Sequence, residues 1–323
     1  MIRICHGKWA LALFAWLAVA GATAQQYPAR PVRMVVTFAP GGGADIIART
    51  VSEPLARLIG QPVVVENRPG AGGTIGADAV AKSVPDGYML LFATPGVQIT
   101  NPFLMKKLPY DSVHDFAAVA MVSVAPNVLV VHAGVPAKTV KELIEVAKSR
   151  SGAMNYSSAG VGATSHLAME YFNTMAGTKV AHVPYKGTGA ALQDLLAGNV
   201  QMAIDTVGPL LPHIKSGALR ALGVTTPGPI SVLPGVPAIA ETLPGFEASS
   251  MNYITARAGT PAPIIARLNK EIAVVLGIPE VRDRLLAIGA IPTIESPQEL
   301  DARIRGLAEK WKKVIEISGA RVD

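Results

Sequence analysis

The stretch VRMVVTFAPGGGADIIAR, residues Val32–Arg49, has the most informative pattern in this chain. Its apolar run at Val32–Phe38 predicts a buried strand, the glycines of Pro40–Gly43 predict a tight turn, and a helix is expected to begin at Ala44–Asp45. Glycine lets a ligand approach the backbone closely, and the first N–H groups of a helix lack internal partners at the positive end of its dipole. The pattern therefore predicts an anion-binding turn, although an ordinary strand-to-helix turn without a ligand has the same pattern.

A second turn of the same kind occurs in the middle of the chain. Met154–Ser157 is typical of a strand, Ala159–Thr164 of a turn of small residues, and Ser165–Met175 of a helix. Two such turns facing each other across a cleft would hold the two ends of a dicarboxylate, because backbone N–H groups form charge-assisted hydrogen bonds to carboxylates. Two unrelated strand-to-helix turns are the alternative interpretation.

Polar residues also follow other predicted strands. Thr94 and Asp205 each come at the end of an apolar run, and Lys186 follows the strand predicted at Val180–Pro184. Loops at the carboxyl ends of parallel strands line the ligand crevice, so these residues are candidates for the same site. Asp205 is either a helix N-cap or a ligand-contacting group, and Lys186 either neutralises a carboxylate or is solvated on its loop.

Strand-like and helix-like segments alternate along the chain, which predicts an α/β fold with largely parallel sheets. Eight strands are predicted, at Val32–Phe38, Pro62–Glu66, Tyr88–Ala93, Asn127–His132, Met154–Ser157, Val180–Pro184, Val200–Asp205 and Leu219–Thr225. A capping box at Thr139-x-x-Glu142 predicts a helix start, and three more helices are expected near the C-terminus, at Ile264–Leu276, Val281–Ile288 and Pro297–Ile315.

Two breaks in the pattern suggest how the chain is divided. Residues 226–245 are rich in proline and glycine, and a second break lies near residues 111–120. We expect a signal peptide followed by two lobes with a ligand cleft between them: 1–24 signal peptide, 25–115 and 226–323 as a discontinuous first lobe, and 116–225 as the second lobe.

The N-terminus has the features of a secretory signal peptide. Arg3 and Lys8 precede the apolar run Trp9–Ala20, which is short for a membrane span, and Ala22–Ala24 is a small-x-small cleavage site. The single cysteine, Cys5, lies before that run and leaves with the signal peptide. The exported chain is therefore expected to have no disulfide and no cysteine metal site.

Composition disfavours several function classes. The net charge of +6 comes from scattered basic residues, with no basic stripe interleaved with aromatics, so nucleic-acid binding is not expected. The five histidines beyond the signal peptide lack metal-site spacing, and the chain has no G-x-S-x-G elbow. The glycines of Gly70–Gly76 loosely suggest a dinucleotide turn, but Asn67–Pro69 separates them from the preceding strand. We therefore expect no cofactor and no metal, and a hydrolase using Ser165 or His166 is the catalytic alternative.

Several runs, taken together, resemble the periplasmic solute receptors of tripartite tricarboxylate transporters, often called the Bug family. The matching runs are FAPGGGADIIAR (38–49), VVVENRPGAGGTIGADAVAKSVPDGY (63–88), NPFL, LPYD and DF (within 101–116), PNVLVV (126–131), SSAGVGATSHLAMEYF (157–172), HVPYKGTGAALQDLLAGNVQMAID (182–205) and LPGVPAIAE (233–241). This resemblance spans essentially the whole chain after the signal peptide.

The resemblance implies a type II periplasmic-binding-protein fold whose two lobes close over a carboxylate. It also implies periplasmic localisation, recognition through backbone N–H groups and ordered water, a monomer, and delivery of the ligand to a membrane permease; delivery to a sensor is the alternative. The binding residues that it implies are Phe38, Ala39, Gly42, Ala44, Asp45 and Thr94 on one wall, and Ser158, Ala159, Ala163, Thr164, His166, Lys186 and Asp205 on the other.

This chain departs from the family pattern at a few positions. Ala44 stands where the family usually has a polar residue such as Thr or Ser, so the first turn lacks one hydroxyl. Met251 and Arg257 stand where tryptophan and proline are usual. These departures bear on which ligand is bound rather than on the fold.

Overall fold

The computed structural model describes residues 27–38, 40–150, 152–185 and 187–321. Three expectations lie outside these residues: the signal peptide with Cys5, and the site residues Ala39 and Lys186. All structural statements below refer to the described residues.

A first sheet of six strands forms one half of the molecule. Its strands are β1 (Val32–Val36), β2 (Val63–Asn67), β3 (Met89–Ala93), β4 (Phe116–Ala125), β10 (Ser250–Arg257) and β11 (Ile291–Pro292). They lie in the order β11-β4-β10-β3-β1-β2. β1 pairs in parallel with β2 and β3, whereas β10 is antiparallel to β3 and β4, and β11 is antiparallel to β4.

Helices cover both faces of the first sheet. They are α1 (Gly43–Ile59), α2 (Thr74–Ala81), α3 (Asn101–Leu104), α8 (Ala262–Gly277), α9 (Pro279–Ala287) and α10 (Pro297–Ser318). Along β1, Val32, Met34 and Val36 pack in the cluster of α1 and α8, while Val35 packs in the cluster of α2. Met34, Val35 and Val36 are successive and fully buried, as expected for a strand covered by helices on both faces, whereas Arg33 is half-exposed and pairs with Glu66.

A second sheet of five strands forms the other half. Its strands are β5 (Asn127–His132), β6 (Asn155–Ser158), β7 (Ala181–Pro184), β8 (Met202–Thr206) and β9 (Leu219–Val224), in the order β7-β6-β8-β5-β9. β6 is parallel to β7 and β8, and β5 is antiparallel to β8 and β9. Its helices are α4 (Val140–Ser149), α5 (Thr164–Ala176), α6 (Thr188–Leu196) and α7 (Val207–Lys215).

The α/β prediction is confirmed, with two corrections. The sheets are mixed rather than largely parallel, because β10 and β5 run against their neighbours. β4, β10 and the two-residue β11 were also missed as strands. Alanines interrupt the apolar residues of β4, and β10 contains the polar residues Ser250, Asn252 and Arg257. The capping box at Thr139 is confirmed, since its Oγ1 accepts a hydrogen bond from the Glu142 N–H at 3.1 Å.

The chain passes between the two sheets twice. It leaves the first sheet between Ala125 and Asn127 and returns between Val224 and Ser250. β4 thus belongs to the first sheet, although residue 116 was expected to begin the second lobe. The lobe limits themselves stay a prediction.

Hydrogen bonds join these two crossings. The Asn127 N–H donates to Thr225 Oγ1 at 3.0 Å, and the Thr225 N–H donates back to the Asn127 carbonyl at 3.0 Å. Asn127 Nδ2 also donates to the Ala248 carbonyl at 2.7 Å. The crossings therefore form one connected strip between the two halves.

Candidate functional site

A cavity of about 650 Å³ lies between the two sheets. Loops and helix starts from both halves, the crossings and α10 form its walls. Its lining residues are Phe38, Ala71, Gly72, Thr94, Pro95, Gly96, Thr100, Asn101, Leu104, Met105, Asn127, Ala159, Gly160, Val161, Gly162, Ala163, Thr164, Ser165, Leu167, Thr188, Asp205, Thr206, Ser249, Ser250 and Trp311. The volume exceeds what a four-carbon acid occupies, so the cavity has room for ordered water or a larger ligand.

Six of the expected site residues line this cavity, namely Phe38, Thr94, Ala159, Ala163, Thr164 and Asp205. Five other described ones, Gly42, Ala44, Asp45, Ser158 and His166, are not among its lining residues. Residues 159–164 of the second turn all line the cavity, whereas Phe38, just before the first turn, is the only described residue of 32–49 that does so.

Asp45 supports the first turn from inside. Its carboxylate accepts hydrogen bonds from the Gly41 N–H at 2.9 Å, from Arg49 Nε at 3.0 Å and from Asn67 Nδ2 at 2.9 Å. Burial by itself raises the pKa of the Asp45 carboxyl, but the hydrogen bonds from Arg49, Gly41 and Asn67 lower it below its usual value. The side chain is therefore ionised and already satisfied within the protein.

Three side chains hold the backbone of the second turn in place. Ser158 Oγ accepts the Gly160 N–H at 3.1 Å, and His166 Nδ1 accepts the Gly162 N–H at 3.1 Å. Ser165 Oγ accepts the Ala159 N–H at 3.0 Å. These contacts place Ser158 and His166 as supports of the turn rather than as cavity surface.

A stack of rings lies beneath the same turn. The His166 and His182 rings are stacked with centroids 4.1 Å apart, and Tyr156 stacks on the other face of His182 at 4.9 Å. Burial, with a smaller contribution from the charge of His182, lowers the pKa of His166 to about 4. His166 is therefore neutral at neutral pH, as its role as a hydrogen-bond acceptor requires.

The stack contains a serine–histidine contact, which bears on the hydrolase alternative. Ser158 Oγ lies 2.6 Å from His182 Nε2, but Ser158 is fully buried and its hydroxyl also contacts Gly160. Ser165 and His166 each hold a backbone N–H of the turn instead of each other. These contacts give Ser165 and His166 a structural role in the turn.

Three helices of the second half begin at the cavity. Their N-caps are Ala163 for α5, Gly187 for α6 and Thr206 for α7, and none of the three makes a side-chain capping hydrogen bond. The first residues of α5 and α6, Thr164 and Thr188, line the cavity. The first N–H of α7 donates to the Pro126 carbonyl at 3.3 Å, so the starts of α5 and α6 are the ones that present N–H groups and positive dipole ends, which together favour an anion.

Asp205 places a carboxylate in the same wall. Its Oδ1 accepts the Thr206 N–H at 2.7 Å and the Thr206 hydroxyl at 3.3 Å, and its Oδ2 accepts the Thr188 hydroxyl at 3.0 Å. Burial raises the pKa of Asp205 above its ordinary value, against these hydrogen bonds. The N-cap of α7 is Thr206, so the N-cap interpretation of Asp205 is wrong.

Sequence reasoning missed several lining residues. Gly72 belongs to the glycine-rich run that was weighed only as a dinucleotide turn; its carbonyl accepts a hydrogen bond from Asn101 Nδ2 at 2.9 Å. Trp311 lines the cavity from α10, more than a hundred residues beyond the other lining groups of the second half. The glycine-rich run Gly70–Gly76 was a signal from which Gly72 could have been predicted. No local sequence pattern identifies Trp311 as a lining residue.

Two further findings limit the chemistry. Over the described ranges, no cluster of three or more His, Cys, Asp or Glu side chains could hold a metal ion. No helix within these ranges is both long and apolar enough to cross a membrane.

Comparison with known proteins places this architecture in a family. The model of the tripartite tricarboxylate transporter family receptor matches residues 47–320. Protein BugT of Bordetella pertussis is 38% identical over 302 residues, covering 93% of this chain and 93% of BugT.

Solved structures agree with this assignment. The R. palustris protein Rpa4515 with adipate is 36% identical with a TM-score of 0.78, covering 92% of this chain and 100% of that one. MatC from Rhodopseudomonas palustris with bound malate is 32% identical with a TM-score of 0.74, covering 90% and 100%. The predicted periplasmic-binding-protein fold and the Bug-family resemblance are both confirmed. This chain belongs to the family of tripartite tricarboxylate transporter receptors.

Proposed function

We propose that this protein is a periplasmic receptor that captures a small carboxylate in the cavity between its two sheets and delivers it to a membrane permease. The observation that carries the proposal is the pair of uncapped helix starts, those of α5 and α6, whose first residues line one cavity. Solved relatives with adipate and malate bound support a dicarboxylate-sized ligand for this chain as well.

The helix starts at the cavity favour the binding of a carboxylate. Each helix start contributes about 0.3–1 kcal/mol to a nearby negative charge, and up to about 2 kcal/mol when partly buried. Hydrogen bonds from N–H groups to an ionised oxygen add roughly 1.5–3 kcal/mol each. A ligand carboxylate at the start of α5, at Thr164, would therefore be held by the backbone, without an arginine and with water filling the remaining space.

In this proposal the second wall comes from the first half of the molecule. Phe38 and Thr94 would approach the ligand as the two halves close about the crossings at Asn127 and Thr225. Closure removes water from the ligand and shortens its contacts with both walls, so the closed state is stabilised by the ligand.

Calorimetric titration of the protein purified from the periplasm tests this function. The titrants are succinate, malate, adipate, citrate and benzoate, with glucose as a non-anionic control. At least one carboxylate is expected to bind one molecule per chain and to be recovered unchanged. Absence of binding by every acid, amino acids included, would overturn the proposal, and conversion of a bound acid to product would support the hydrolase instead.

A deletion strain separates delivery to a permease from delivery to a sensor. Loss of the receptor is expected to abolish high-affinity uptake of the radiolabelled acid that binds in titration, and the restored gene is expected to recover it. Unchanged uptake together with loss of ligand-induced gene expression would favour the sensor.

A further inference from the structure

The cavity contains an acidic side chain, which a site for a simple anion does not need. Among its described lining residues, Asp205 has the only ionisable side chain. It lies in the same wall as the helix starts of α6 and α7, since Thr188 and Thr206 both donate to it. An acidic group beside a bound carboxylate repels it unless something between them supplies a positive or hydrogen-donating group.

Asp205 retains unused acceptor capacity on this surface. An ionised carboxylate offers about four lone-pair positions, two on each oxygen. The Thr206 N–H and hydroxyl use both positions of Oδ1, and the Thr188 hydroxyl uses one position of Oδ2. One position on Oδ2 is therefore open for a donor.

The burial of Asp205 makes an unmatched charge there unfavourable. The residue is only 8% exposed, and burial raises the pKa of its carboxyl. The side chain therefore gains more from a donor than an exposed carboxylate would, because each charge-assisted hydrogen bond strengthens as water is excluded.

We infer that the ligand carries a hydrogen-bond donor, an ammonium or hydroxyl group, that pairs with Asp205 Oδ2, so that the site selects amino and hydroxy acids over unsubstituted carboxylates. This inference rests on the proposed function and names the ligand class for the same cavity. The carboxylate of such a ligand lies at the helix starts, and its substituent satisfies the acidic group beside them.

Matched sets of acids test this selection by calorimetric titration. One set is succinate, malate and aspartate, and the other is 3-phenylpropionate, phenyllactate and phenylalanine, so that within a set only hydrogen, hydroxyl or ammonium changes. In the set that binds, we expect a substituted acid to bind at least about tenfold more tightly than its parent, as one charge-assisted hydrogen bond implies.

Asp205→Asn links the preference to this residue. The amide places a donor where the open acceptor position was, so the advantage of an amino acid over its parent is expected to fall by about tenfold or more. Asp194→Asn is the matched control, because Asp194 lies on α6, accepts the Tyr185 hydroxyl at 2.6 Å and does not line the cavity. Thermal melts of both variants show whether they fold.

The outcomes separate this inference from the proposed function. A parent acid that binds as tightly as its substituted partners would overturn the inference and leave the receptor function intact. A preference that survives in a folded Asp205→Asn variant would also overturn it. Should Asp205→Asn not fold, the wild-type preference within each set still decides. Binding of no acid in either set would overturn the inference together with the function on which it rests.

Discussion

His166 holds the cavity turn through its neutral ring, because its Nδ1 accepts the Gly162 N–H at 3.1 Å. An imidazole can accept at Nδ1 only while that nitrogen carries no proton. The ring was expected to touch the ligand, but it acts from behind the turn, stacked on His182. The shape of the binding surface is thereby tied to the protonation state of a buried base.

Acid is therefore expected to destabilise the protein through His166. Its pKa is about 4 in the folded protein but 6.5 in the unfolded chain, so the unfolded state binds more protons between these values. Stability is fully present above pH 6.5 and is lost as the pH falls towards 4, by about 2 kcal/mol after allowance for screening. Urea denaturation between pH 4 and 7.5 measures this loss.

His166→Gln provides the comparison for this pH dependence. Glutamine can still accept the Gly162 N–H but does not titrate, so the loss of stability on acidification is expected to be smaller. His213→Gln, on α7 and outside the cavity, is the matched control. Equal pH dependence in both variants would contradict the role given to His166.

Gly160→Val is expected to weaken ligand binding by more than about tenfold. Gly160 has φ of 135°, where a β-branched residue is strained, and an added Cβ would lie 3.1 Å from the Tyr185 carbonyl. The turn would have to move away from the cavity. Gly152→Val is the control, because φ there is 80° but an added Cβ meets no atom within 4 Å. Calorimetric titration of both variants separates the effect of a displaced turn on ligand affinity from the effect of backbone strain alone.

Asp45→Ala is expected to lower the free energy of unfolding by about 2–3 kcal/mol, because three donors lose their shared acceptor. These donors are Gly41, Arg49 and Asn67. Asp301→Ala removes an exposed helical pair with Arg305 and is expected to change stability by less than about 0.5 kcal/mol. Urea denaturation of both variants gives the difference, and equal losses would show that Asp45 is not a structural support.

Thr225→Val is expected to destabilise the connection between the two halves by about 1–3 kcal/mol. The change keeps the side-chain shape but removes the hydroxyl that accepts the Asn127 N–H at 3.0 Å within the buried crossings. Thr174→Val, which removes an exposed hydroxyl bonded to the Glu170 carbonyl, serves as the control. Small-angle scattering with and without ligand also shows whether the change shifts the balance of open and closed forms.

Ligand binding is expected to change the tryptophan fluorescence directly. Of the three tryptophans, Trp9 and Trp16 lie in the expected signal peptide, so Trp311 is the single one after residue 24. Trp311 lines the cavity and is only 4% exposed. A saturable change in emission should give the same affinity as calorimetry, and an unchanged spectrum at full occupancy would place the ligand away from α10.

Local patterns predicted more of the fold than of the site. Strand–turn–helix units at Val32–Arg49 and Met154–Met175 follow from apolar runs and glycine turns, which act over a few residues. β4 and β10 were missed because weak strand formers interrupt their apolar pattern, and their strand conformation depends on the pairing between them across the sheet.

The site residues divide in the same way. The family resemblance implied both Asp45 and Asp205 as binding residues, but the Asp45 carboxylate accepts hydrogen bonds from internal donors, whereas Asp205 lines the cavity. That difference depends on Asn67 and Thr188, whose positions no local pattern specifies.

The amino-acid sequence alone was enough to predict the α/β class, the two glycine turns and the family, because residue order and short-range periodicity encode all three. Tertiary structure decided which turn faces the cavity, that His166 stands behind it, and that Trp311 completes its wall. These depend on contacts between distant segments, such as that of Asn127 with Ala248, which are 121 residues apart. Side-chain packing brings such segments together, and local backbone propensities do not encode which distant segments will pack against each other.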